Sequence, residues 1–76
     1  MQADQIERLI ADGLPCAEVR VRGDDGVHFE ALVVSDAFAG KRELERHRLV
    51  YATLGARMGT DIHALSLVTQ TPAERG

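Results

Sequence analysis

Two runs of alternating residues on either side of Gly23-Asp24-Asp25-Gly26 constrain this chain more than any other feature. Glu18-Val19-Arg20-Val21-Arg22 switches between polar and apolar positions with period two, the pattern of a strand with one wet face. The Gly-Asp-Asp-Gly segment has strong turn chemistry. His28 to Ser35 then resumes as a strand, so residues 18–35 read as a β-hairpin.

Helical patterns flank the hairpin. Ile6, Leu9 and Ile10 fall at helical spacing within Asp4 to Asp12, and Gly13 and Pro15 supply stop signals. After the hairpin, Ser35-Asp36 and Gly40 mark the start of a long helix expected to run to about Met58, with Gly59 as its stop. Gly55 inside that helix costs about 1 kcal/mol relative to alanine. His63 to Thr69 reads as a third strand, closed by Thr71-Pro72.

The resulting order is α-β-β-α-β. A strand–helix–strand crossover returns over the sheet, so the third strand runs parallel to the second. The helices need a shared apolar surface, which predicts an α+β domain with both helices on one face of a three-stranded mixed sheet. Parallel strands also bring their starts, His28 and His63, to the same end of the sheet. Adjacent strands would put the two backbones about 5 Å apart, and one intervening strand about 10 Å. Strand parity groups His28 with Glu30 and His63 with Leu65 and Leu67, so the two rings are expected on opposite faces.

At 76 residues the chain allows one domain. Its stability is expected to be roughly 4–11 kcal/mol. Apolar residues at 45% and charged residues at 28% are ordinary for a globular domain. A net charge of −3 argues against a general polyanion binder, although a local basic stripe still sets a local field. The single cysteine, Cys16, fits a reducing compartment. No apolar run has the length of a signal peptide core or a membrane span, so a soluble cytoplasmic protein is the expectation.

On the long helix, Leu44, Tyr51, Leu54 and Met58 fall on one stripe with His47 inside it. Lys41 and Arg48 flank that stripe, and Arg42, Arg46 and Arg57 gather on the far side as a basic outer face. His47 therefore reads as a hydrogen-bonded core histidine and Cys16 as a half-buried structural thiol. Asp24, Asp25, Glu30, Glu43 and Glu45 are scattered, with no paired-acid or nucleophile arrangement among them.

Val33-Val34-Ser35, Phe38-x-Gly40-Lys41, Leu44-x-Arg46-His47-Arg48-Leu49-Val50-Tyr51, Ile62-His63-Ala64-Leu65-Ser66-Leu67 and Thr71-Pro72 together resemble the BolA family. The short hairpin is more similar to the small acid-stress-type bacterial members than to the founder. The resemblance implies a single BolA-like domain over residues 1–76 with a class II KH-like fold. It also implies a non-enzymatic role, in which the protein pairs with a monothiol glutaredoxin and shares a bridging 2Fe-2S cluster with it and glutathione. Iron-sulfur trafficking or iron sensing would be the task. The chain alone would carry no cofactor and would be a monomer or weak homodimer. By position, the implied ligands are His63, at the start of the last strand, and His28, in the hairpin. Imidazole is reasonable there, because histidines replace thiolates on one iron of Rieske clusters and raise the potential.

The rival reading is a nucleic-acid-binding transcriptional regulator, since class II KH domains bind nucleic acid. Arg42, Arg46 and Arg57 would then contact phosphates, and binding would weaken steeply with salt. Glu43 and Glu45 dilute that charge.

Overall fold

The alternation that marks the hairpin is built into the sheet of the computed structural model, which describes residues 1–76. Helix α1 (Ala3–Gly13) precedes strands β1 (Glu18–Arg22) and β2 (His28–Val34), and helix α2 (Glu43–Leu54) leads to strand β3 (Ala64–Gln70). A four-residue helix α3 (Pro72–Arg75) follows. The strands lie in the order β1-β2-β3, with β1 antiparallel and β3 parallel to β2. Phe29, Ala31 and Val33 share one face of β2, and they pack with Ile6 and Ile10 of α1 and Val50 and Leu54 of α2 in one buried cluster. Both helices therefore cover the same face, as the periodicities require.

Helix α2 is shorter than its pattern predicts. Residues Asp36–Phe38 form a separate 3-10 turn, whose start is fixed by Ser35. The Ser35 hydroxyl donates to the Pro15 carbonyl and accepts from the Ala37 N–H at 3.1 Å. Gly55 adopts φ 56° and ends α2 there, four residues before the expected stop at Gly59. Residues Gly55–Arg57 continue only as a 3-10 turn.

Its buried face is also rotated from the expected stripe. Val50 and Leu54 are fully buried, whereas Leu44 keeps 63% of its surface exposed. Arg46, one turn before Val50, consequently lies toward the protein rather than on an outer basic face.

Helix α3 replaces an expected plain chain end. Thr71 N–H donates to Glu74 Oε1 at 2.8 Å, and Glu74 N–H donates to Thr71 Oγ1 at 3.2 Å. This reciprocal capping box, with Pro72 at the first helical position, explains why so short a segment is helical.

Candidate functional site

The sheet end that holds the starts of β2 and β3 is built by two turns. In the hairpin turn, Asp25 Oδ1 accepts the N–H groups of Val27 at 2.9 Å and His28 at 2.8 Å. Asp25 Oδ2 lies 2.8 Å from His28 Nδ1. The ring contact and the two backbone donors together hold the Asp25 carboxyl well below the usual carboxylate range. Gly23 is required for this closure, because a Cβ at that position would stand 2.5 Å from the His28 carbonyl oxygen. The His28 side chain is 75% exposed.

The second turn sets His63. Arg57 O accepts the N–H groups of Asp61 and Ile62, both at 2.9 Å, and Gly59 N–H donates to Ile62 O at 2.8 Å. Ile62 is fully buried and anchors the turn in the core. His63 itself is an exposed bend residue, because β3 starts one residue later at Ala64. Ile62 and Leu65 both contribute to the core packing although they differ in parity, so simple alternation breaks between them. The parity rule that assigned the two histidine rings to opposite faces therefore does not extend to His63.

His28 pairs with Ala64 in the parallel register. One strand spacing plus one residue then limits the His28 and His63 Cα atoms to roughly 9 Å apart. Two exposed imidazoles thus share one end of the sheet, one opening β2 and the other in the bend just before β3, the closer of the two separations considered. No group of three or more His, Cys, Asp or Glu side chains is assembled anywhere in the chain.

The three arginines of the rival reading do not form a surface. Arg46 is 13% exposed and forked onto Glu74, with Nη1 to Oε1 at 2.6 Å and Nη2 to Oε2 at 3.1 Å. Its Nε donates to Lys41 O at 2.8 Å, and its guanidinium carbon sits 5.9 Å from the centre of the Phe38 ring. Arg46 is a structural clamp. Arg42 and Arg57 are exposed but flank opposite ends of α2, whose twelve residues span about 18 Å. Gly23-Asp24-Asp25-Gly26 forms an acidic hairpin turn, where a phosphate backbone would meet Asp24 and Asp25.

His47 packs edge-on against Tyr51, as a core histidine should, but its buried Nε2 has no hydrogen-bond partner. Glu43 Oε1, at 3.6 Å, is the near carboxylate. Cys16 is half-buried with its thiol donating to Leu14 O at 3.2 Å, and burial pushes its pKa up, an environment that fits a structural thiol. No helix is long and apolar enough to cross a membrane.

Comparison with known proteins agrees with this architecture. The solved structure of a bolA protein homologue from Coxiella burnetii superposes with a TM-score of 0.83 at 47% identity, covering 99% of this chain and 96% of that one. The acid stress protein IbaG of Escherichia coli is 33% identical over 75 residues, 97% of this chain and 88% of that protein. The DNA-binding transcriptional regulator BolA of Escherichia coli is 49% identical over 47 residues, 62% of this chain. This chain spans 14%, 36% and 45% of three longer curated relatives that it matches at 45–53% identity. The family model described as BolA-like protein matches residues 15–74, and the chain belongs to that family.

Proposed function

We propose that this protein is a non-enzymatic adaptor that pairs with a monothiol glutaredoxin and shares a bridging 2Fe-2S cluster, with glutathione, in iron-sulfur trafficking or iron sensing. The observation that carries this reading is that exposed His28, at the start of β2, and exposed His63, in the bend before the parallel strand β3, lie at one end of the sheet. Imidazole nitrogens suit iron, and two of them leave room for thiolate ligands from a partner. When bound, the cluster supplies electron transfer or a transferable iron-sulfur unit. The chain's own contribution is to hold two imidazole donors at one end of the sheet and present them to a partner's surface.

The test mixes the protein with a monothiol glutaredoxin under cluster-forming conditions and records visible absorption and circular dichroism. The expected spectrum differs from that of the glutaredoxin homodimer, and His63→Ala reverts it. A spectrum unchanged by His63→Ala overturns the ligand assignment.

One relative's description as a DNA-binding transcriptional regulator favours a second reading, in which exposed Arg42 and Arg57 contact phosphates. It predicts a gel shift that weakens with salt and is lost when Arg42 and Arg57 are neutralised together. No shift at low salt removes it.

A further inference from the structure

We propose that Asp25 is the positioning residue for His28, fixing its ring as the Nδ1–H tautomer so that Nε2 is the atom offered to iron. The inference rests on the cluster-sharing function and names the atom through which His28 serves it.

Three contacts carry the assignment. Asp25 Oδ1 is occupied by the N–H groups of Val27 and His28, which fixes the carboxylate in the turn. Oδ2 then stands 2.8 Å from His28 Nδ1. An ionised carboxylate only accepts hydrogen bonds, so the proton of the neutral ring sits on Nδ1. Nε2 is left unprotonated on a side chain that is 75% exposed. A turn role alone uses only Oδ1. The Oδ2 contact is additional to what the hairpin needs, and it reproduces the carboxylate–histidine pairing that orients metal-binding imidazoles.

Asp25→Asn separates the two roles. It keeps a side-chain oxygen for the backbone donors but turns an NH2 group toward Nδ1, which favours the opposite tautomer. Ring nitrogen chemical shifts of the isolated chain, measured above the titration range of histidine, are expected to show Nδ1–H in the wild type and Nε2–H in Asp25→Asn. Paired with a monothiol glutaredoxin, the variant is expected to lose its shared cluster to a chelator with roughly 10–100-fold weaker retention. An Nε2–H ring in the wild type overturns the assignment without recourse to any variant. Equal cluster retention by the two proteins overturns it as well. A wild-type pair with no heterocomplex spectrum overturns the cluster-sharing function instead, and the tautomer read on the chain alone keeps the two failures apart.

Discussion

Arg46 on α2 and Glu74 on α3 meet through two parallel contacts of 2.6 and 3.1 Å, and the same guanidinium reaches the carbonyl oxygens of Lys41 and Thr69. One side chain therefore ties α2 to the turn before it, the end of β3 and the C-terminal helix. A bidentate fork with backbone carbonyls on its remaining donors suits arginine and no other residue. The arginine at the centre of the chain's most basic helix thus serves the fold.

Arg46→Ala is expected to lower Tm by several degrees, with Arg46→Lys recovering only part of the loss, because an ammonium cannot bridge two carboxylate oxygens and two carbonyls at once. Thermal unfolding followed by circular dichroism checks this. A wild-type Tm in Arg46→Ala would return the residue to the free basic surface.

The Arg46 hydrogen bonds hold the Glu74 pKa down to about 2, from an ordinary value of 4.5. A carboxylate depressed in the folded state stabilises it above the unfolded pKa, and that contribution is lost as pH falls through the folded value. Docking of α3 is expected to be fully stabilised above about pH 4.5 and to weaken progressively toward pH 2. Amide spectra across that range should show Thr71–Gly76 changing together. In Glu74→Gln the pH dependence of this segment should be absent.

Leu54→Ala removes a fully buried side chain and is expected to cost about 2–5 kcal/mol, a large part of the stability of a domain this small. Leu44→Ala, at a position 63% exposed, should change stability by no more than about 0.5 kcal/mol. Chemical denaturation of the two variants side by side tests the rotated face of α2. Comparable losses would restore the stripe expected from periodicity alone.

That stripe failed for a reason specific to Arg46. Periodicity counts apolar residues, and an arginine that buries its stem and finds its partner 28 residues later leaves no local trace. The hairpin was legible down to the bounds of β1, because one wet face imposes strict alternation on Glu18–Arg22. The parallel pairing of β2 and β3 followed from chain order. The bend at His63 did not, since it depends on Ile62 entering the core from a turn. Two local signals in the sequence do announce structure. Thr71-Pro72-Ala73-Glu74 is a capping box with proline at its start, and Asp25 three residues before His28 is the spacing of a turn acid that can also reach the ring.

His47 gives a prediction of opposite sign to the usual core substitution. Its Nε2 is buried without a hydrogen bond, and the nearest carboxylate oxygen, on Glu43, stands at 3.6 Å. A buried polar atom left unpaired forfeits roughly 1–3 kcal/mol of hydration. The ring's packing is separate from that loss, because its edge-on contact with Tyr51, at 6.4 Å between centroids, needs only an aromatic ring. His47→Phe keeps the ring and removes the unpaired nitrogen, so it is expected to leave stability unchanged or raise it by about 1 kcal/mol. His47→Ala should lose about 1–3 kcal/mol through the vacated volume. Equilibrium denaturation near pH 7.5 separates the cases. Destabilisation of more than about 1 kcal/mol by His47→Phe would mean that Nε2 has a partner the fold depends on, with Glu43 the first to examine by a double-mutant cycle.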